Sequence, residues 1–168
     1  MIRPMKASDI SRVAEIRVFG WRCAYRGIVS DEHLFNELSV TGRAEKLAEQ
    51  FSKNDNTSYE QDRYVYDDGI IRAFLMVGSC GDQDKPHAFE LGALYVDPCL
   101  QGKGIGTALA MYCETIAITR GYNEICIWTF EKNAAARAFY EKLGYVHDGT
   151  TQNIEPYNAT GVRYCKNI

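Results

Sequence analysis

Leu91-Gly92-Ala93-Leu94-Tyr95-Val96 leads through Asp97-Pro98-Cys99-Leu100 into Gln101-Gly102-Lys103-Gly104-Ile105-Gly106-Thr107. An apolar run of strand type meets a glycine-dense turn, and the turn opens a stretch of helical periodicity. That order makes a socket for a diphosphate. A helix start leaves several backbone N–H groups unpaired, and the helix dipole adds about half a positive charge there. Glycines remove the side chains that would hold a phosphate away from the backbone.

Beyond the turn, Ile105, Ala108, Leu109, Tyr112, Cys113 and Ile116 form one apolar stripe, and Gly121 ends the helix. Glu124 to Phe130 reads as an apolar strand. Strand 88–96, helix 105–120 and strand 124–130 then form a βαβ unit, which requires parallel pairing and a right-handed crossover. Asn133 is placed to cap a second helix with Ala136, Phe139, Tyr140 and Leu143 on its buried side and Gly144 at its C′ position. Tyr145 to His147 and Thr160 to Cys165 read as closing strands.

On the other side of the turn, Ile2 to Met5 reads as a short strand. Ser8 is the expected N-cap of a helix carrying Ile10, Val13, Ala14, Arg17, Trp21 and Ala24, which ends near Gly27. Residues 31–53 read as helical with a break near Ser39 to Gly42, and Asn54-Asp55-Asn56 as a loop. Strand character begins at Tyr59. Tyr64-Val65-Tyr66, the turn Asp67-Asp68-Gly69 and Ile70 to Ser79 form a hairpin, and Gly81 to Pro86 turns into an antiparallel third strand. With no repeat or linker, residues 1–168 read as one α/β (α+β) domain. Its sheet is mixed and mostly antiparallel, with a central parallel βαβ unit and helices on both faces.

A chain of 168 residues with 46% hydrophobic and 24% charged residues suits one soluble core. The net charge of −3 weighs against nonspecific nucleic-acid binding. No apolar run approaches the ~18 residues of a membrane span. Met1 to Met5 lacks the apolar core of a signal peptide, so a cytoplasmic location is expected. The six cysteines form no C-x-x-C pair and have no histidine at zinc-ligand spacing. They are expected to be free thiols, with no metal. Cys99, beside the socket, reads as a loop residue, with a reactive thiol as the alternative.

Three kinds of phosphate socket compete. The spacing does not fit a P-loop. A dinucleotide fingerprint needs G-x-G-x-x-G, whereas Gly102, Gly104 and Gly106 give G-x-G-x-G. The following strand also ends Trp128-Thr129-Phe130, without the acid that fingerprint needs. The third kind fits. Gln101-Gly102-Lys103-Gly104-Ile105-Gly106 resembles the Gln/Arg-x-x-Gly-x-Gly/Ala acetyl-CoA signature of the GNAT N-acetyltransferase superfamily. Leu94-Tyr95-Val96-Asp97-Pro98 resembles the end of that family's fourth strand. Asn133-Ala134-Ala135-Ala136-Arg137-Ala138-Phe139-Tyr140-Glu141-Lys142-Leu143-Gly144-Tyr145 resembles its next shared segment. The resemblance spans residues 88–148.

The resemblance implies the following roles. Backbone N–H groups from Gln101 through Gly102, Lys103, Gly104 and Ile105 to Gly106, with Thr107, hold the CoA pyrophosphate. Lys103 either approaches CoA phosphates or is a solvated loop lysine. The pantetheine arm lies against Leu94, Tyr95 and Val96, where two strands splay apart. Asn133 reaches the CoA arm in addition to capping its helix.

The acceptor amine must be neutral to attack the thioester. For a lysine-like amine, neutralisation at pH 7 costs roughly 4–5 kcal/mol, so a base, a water chain or a desolvating pocket is needed. Glu90 matches the family's strand glutamate that acts as base, directly or through water. Otherwise it is an exposed strand residue opposite Phe89 and Leu91. Tyr140 matches the tyrosine that protonates the CoA sulfur. Its alternative is core packing beside Phe139. Backbone N–H groups near Leu94 to Val96 are the expected oxyanion donors. His87 and His147 suit the pH but stand at a turn and a strand end.

Trp21-Arg22-Cys23-Ala24-Tyr25-Arg26-Gly27-Ile28 resembles the first-helix segment of bacterial relatives. Trp21, Tyr25 and Arg26, with Arg22, are the expected acceptor-binding residues, or else a helix end packed by aromatics. The implied activity is acetyl-CoA-dependent N-acetyl transfer to a primary amine, with a small-molecule acceptor expected. The alternatives are a protein N-terminal or lysine acetyltransferase, or a silent acetyl-CoA-binding regulator. Neither nucleic acid nor membrane is an expected partner, and the resemblance leaves a homodimer open.

Overall fold

The computed structural model describes residues 1–52 and 61–168. The loop expected at Asn54 to Asn56 and the strand onset at Tyr59 lie outside them. The elements are β1 (Ile2–Pro4), α1 (Ile10–Ala24), α2 (Val40–Ser52), β2 (Gln61–Asp67), β3 (Ile71–Ser79), β4 (Phe89–Val96), α3 (Ile105–Thr119), β5 (Glu124–Phe130), α4 (Ala134–Lys142), β6 (Val146–Ile154) and β7 (Ala159–Asn167). The seven strands make one sheet in the order β1-β2-β3-β4-β5-β7-β6. Among the strands of the described residues, only β4 and β5 pair in parallel, as the βαβ reading requires. No helix among the described residues is long and apolar enough to cross a membrane.

Alternation along β3 separates two cores. Ala73, Leu75 and Val77 join Leu109, Cys113 and Ile116 of α3, while Phe74 joins Val13, Ile16 and Leu47 from α1 and α2. Adjacent strand residues point to opposite faces, so α3 covers one face and α1 with α2 the other. Tyr140 of α4 packs on the α3 side.

β4 carries an irregularity on which the site depends. Its partners on β3 run Ala93 with Met76, then Leu91 with Val77, so Gly92 is an extra residue. Such a bulge bends its strand and re-aims the residues beyond it. Parallel pairing with β5 is confined to Phe89 with Ile125 and Glu90 with Cys126, both before the bulge. From Leu91 onward β4 has no partner on its β5 side.

Two local expectations are corrected. Ser8 does not cap α1. It lies inside a 3-10 turn (Ala7–Asp9). The buried Asp9 carboxylate accepts the Lys6 N–H at 2.8 Å and the Arg3 guanidinium at 2.7 Å, so Asp9 rather than Ser8 fastens this end. The closing strands are also longer than expected. β6 reaches Ile154 although nearly all of its residues are exposed. It is an edge strand held by hydrogen bonds to β7, with no apolar alternation to betray it.

A charged clasp ties the β3–β4 turn to this edge. Arg163, 2% exposed, meets Asp82 at 2.8 Å, Asp84 at 2.5 Å and Asp148 at 2.7 Å, and donates to Thr150 at 2.9 Å. Burial alone would raise the Asp148 carboxyl, but the Thr150 N–H and Arg163 pull it down to about 2. A carboxyl lowered by folding stabilises the fold above its unfolded value near 4, and that contribution is lost as pH falls toward about 2. A loss on the order of 1 kcal/mol is therefore expected from this group between pH 5 and pH 2, allowing for solvent screening. Thermal unfolding across that range should show a smaller fall in Tm for Asp148→Asn than for the unaltered chain; an equal fall would exclude the assignment.

Candidate functional site

The turn from Gln101 to Gly104 places three features at the start of α3. Gly102 and Gly104 hold φ of 78° and 79°, a region open chiefly to glycine, and nothing lies within 4 Å of where their Cβ atoms would stand. The first bond closing the helix runs from the Ala108 N–H to the Gly104 carbonyl at 3.0 Å. The N–H groups of residues 102–107 have no backbone acceptor among the described residues. The Gly106 position faces Phe139 and Val96 at 3.4–3.6 Å, which brings α3 close to both α4 and β4. Gln101 and Lys103 are exposed on the rim.

The socket opens toward the unpaired side of β4, where Leu94, Tyr95 and Val96 are half-buried. Asn133 is 9% exposed, and its side-chain oxygen accepts the Ala136 N–H at 3.2 Å. The cap expected of it is present.

On the α1 face, the Tyr95 hydroxyl lies 2.9 Å from that of Tyr25, and its ring stacks on Phe74 at 5.4 Å. Gly20 makes room for it, since a Cβ there would stand 3.0 Å from the Tyr95 ring. Trp21 meets Tyr25 edge-on at 4.9 Å and Tyr157 at 5.5 Å, and Tyr25 meets Phe130 at 4.8 Å. The Arg17 guanidinium sits 5.5 Å from the Trp21 ring and 5.6 Å from the Tyr95 ring. Burial raises the Tyr25 hydroxyl, and the neighbouring Tyr95 adds to the shift.

Tyr140 is 7% exposed, and its ring packs on Phe139 at 5.2 Å and Tyr145 at 5.9 Å. Burial pushes its hydroxyl up, and Tyr95 lies close enough to contribute. No hydrogen bond to that hydroxyl is formed among the described residues, and the neighbouring Tyr145 hydroxyl is buried without a partner. It is a protonated phenol with its hydrogen-bonding capacity unspent.

Glu90 lies elsewhere on β4. It is half-buried beside the β3–β4 turn, where burial chiefly, and Asp82 in addition, raise its carboxyl while the Gly81 N–H opposes them. It therefore holds a proton to higher pH than an ordinary glutamate. Glu90 and Tyr95 are five residues apart on β4, roughly 15 Å of extended chain. The tyrosine group thus lies on the unpaired edge, and the carboxylate on the paired part of β4 before the bulge.

Trp21 and Tyr25 join this group, and Arg26 does not. Arg26 is exposed and lies 5.9 Å from the Phe35 ring. Arg22 donates to the carbonyls of Leu34 and Leu38 at 2.9 and 3.0 Å, and so fastens the loop before α2. Arg17, Arg43 and Tyr157 were not singled out from sequence. Arg17 carried a signal, a charge in the apolar stripe of α1. Arg43 and Tyr157 carried none, since only the fold brings α2 and the β6–β7 turn to this place.

The cysteines are free. Burial pushes Cys113 up to about 12, which makes it an inert core thiol. Cys99 is exposed and its N–H bonds the Asp97 carboxylate at 2.9 Å. Glu124, Cys126 and Cys165 bring their ligand atoms within 4.8 Å of one another. Glu124 is already held by Lys85 at 2.6 Å.

Residues 21–145 match the model of the acetyltransferase (GNAT) family. A spermidine N(1)-acetyltransferase of Thermoplasma acidophilum is 23% identical over 149 residues, covering 89% of each chain. A probable N-acetyltransferase of Mycobacterium tuberculosis is 28% identical over 96% of this chain and 88% of its own length. The crystal structure of a PaiA N-acetyltransferase from Thermoplasma acidophilum in complex with coenzyme A superimposes with a TM-score of 0.76 at 20% identity, covering 100% of this chain and 98% of that one.

Proposed function

The chain belongs to the acetyltransferase (GNAT) family, and from that premise we propose that it transfers the acetyl group of acetyl-CoA to the primary amine of a small acceptor. The observation that carries the reading is the unpaired side of β4 beyond Gly92, with the start of α3 close to Val96 at its far end and the raised carboxyl of Glu90 on the paired residues just before the bulge.

Acetyl-CoA supplies an acetyl group already activated as a thioester. The residues fit it: the N–H groups from Gly102 to Thr107 lack acceptors, and the space over Gly102 and Gly104 is open. Gln101, Lys103, Ile105 and Gly106 complete the diphosphate socket. The β4 edge at Leu94, Tyr95 and Val96 offers extended backbone to the pantetheine arm, and Asn133 offers its amide from the start of α4.

Glu90 takes up the amine proton. Its place before the bulge, roughly 15 Å of chain from Tyr95, supports relay through water rather than direct contact. Tyr140 donates its phenol proton to the departing sulfur, for which a hydroxyl free of other hydrogen bonds is suited. Trp21, Tyr25 and Tyr157 wall the acceptor side with closely packed rings, which supports a slender acceptor. The acceptor of the Thermoplasma relative, spermidine by its name, supports an amine here.

The test is thiol release from acetyl-CoA with a panel of primary amines. Glu90→Gln is expected to lower kcat/KM roughly 100-fold. Because Glu90 is raised and must be deprotonated to act, the rate of the unaltered enzyme should climb as pH rises through that raised value. The glutamine variant should lose this limb of the profile. A limb that persists in Glu90→Gln would assign the base elsewhere. Tight acetyl-CoA binding with no turnover of any amine would favour a regulatory protein.

A further inference from the structure

We infer that Arg17 and Arg43 form an anion-binding subsite, so that the acceptor is a primary amine that also carries a carboxylate or phosphate. The inference rests on the acetyltransferase reading and names the acceptor class of that site.

The other arginines show what is unusual. Arg3, Arg12, Arg72, Arg120 and Arg163 are each ion-paired to at least one carboxylate, while Arg22, Arg63 and Arg137 donate to neutral oxygens of Leu34 and Leu38, of Gln50, and of Glu131 and Tyr164. The guanidinium groups of Arg17 and Arg43 have no ion pair or hydrogen bond among the described residues, and the Arg43 Nε is buried without a partner there. A buried guanidinium nitrogen left unpaired is costly, and here Arg17 and Arg63 add like charge within electrostatic reach. Burial and the nearby charge of Arg17 and Arg63 bring Arg43 down to about 10, so it remains charged at neutral pH while bearing the strain of its surroundings.

The position of the pair gives that strain a use. Arg17 lies over the rings of Trp21 and Tyr95. Arg43 stands on α2 within electrostatic reach of Arg17 and Tyr95, and Tyr95 is the one neighbour among the described residues that favours its charge. Both therefore flank the tyrosine group on the acceptor side. Among the described residues, the one carboxylate in electrostatic reach of Tyr157 is Glu37, which is exposed and bonded to His33 at 2.7 Å. A polycation entering here meets two guanidinium groups. An acid meets a ready-made partner, and a planar guanidinium matches carboxylate and phosphate oxygens in pairs.

The experiment compares matched amines: free amino acids against their carboxamides, and O-phosphoethanolamine against ethanolamine, with spermidine as the cationic probe. The expected result is that kcat/KM for the acid exceeds that for its neutral partner by roughly 10- to 100-fold. The preference should collapse in both Arg17→Gln and Arg43→Gln while the Kd for acetyl-CoA stays unchanged. A shift in acetyl-CoA affinity instead would mean that the pair binds a CoA phosphate, which overturns the inference. Preference for neutral amines or spermidine, or a preference for acids that survives both substitutions, also overturns it. Binding of the same pairs without acetyl-CoA, read by tryptophan fluorescence, separates the two readings. If the chain turns over no amine yet binds acids over amides through Arg17 and Arg43, transferase activity fails and the subsite stands. If it acetylates amines but binds acid and amide equally, the subsite fails and the transferase stands. Should Arg17→Gln not fold, Arg43→Gln, at a half-exposed position of α2, decides.

Discussion

Gly104→Glu is expected to weaken acetyl-CoA binding by roughly 1,000-fold while leaving the fold in place. Gly104 holds φ of 79°, and a side chain there costs about 1–2 kcal/mol of backbone strain. The space where its Cβ would stand is open, so the first new atom collides with nothing. The glutamate then stands where the diphosphate is proposed to sit. Like charges held together cost several kcal/mol, which reaches the expected loss, while the strain is borne by free and bound protein alike and lowers Tm instead. Isothermal titration with acetyl-CoA measures it, and Tm reports the fold. Affinity within threefold of the original would move the diphosphate to another place.

Tyr140→Phe is expected to lower kcat by roughly 100- to 1,000-fold with little change in the KM for acetyl-CoA. Phenylalanine keeps the ring contacts with Phe139 and Tyr145. The lost hydroxyl leaves no orphaned partner behind among the described residues. Stability should therefore hold while proton delivery to sulfur is lost. The deficit should also shrink for donors whose thiol is more acidic, because such a leaving group needs less protonation. A variant with unaltered kcat would return Tyr140 to the core as packing alone.

Much of the fold was legible because its signals are local. The stripe of α3, the apolar β5, the Asn133 cap and Gly144 at the end of α4 each declare themselves within a few residues, and all stand where expected. β6 was hidden because an exposed edge strand has no apolar face to show in its sequence. The bulge at Gly92 was hidden because Leu91 to Val96 reads as an unbroken strand, and only the register against β3 reveals the extra residue. The site divides likewise. The half proposed to hold the donor is one contiguous motif, so its residues stand together in the sequence. The half proposed for the acceptor draws on α1, α2, β4 and the β6–β7 turn, so Arg43 and Tyr157 become meaningful only once packing brings them within electrostatic reach of Tyr95. Arg26 illustrates the converse, since it follows Tyr25 in sequence but lies beyond the end of α1 and stands beside Phe35.

The gap beyond Gly92 also bears on how the protein keeps to itself. Unpaired strand edges usually lie at the rim of a sheet, where any other chain can dock and begin an aggregate. Here the open edge lies in the middle, between β4 and β5, with α1 and α2 over one face and α3 over the other. Another protein's strand cannot approach it broadside. Something thin, flexible and entering lengthwise can, so the shape of the access filters visitors before any chemical recognition begins.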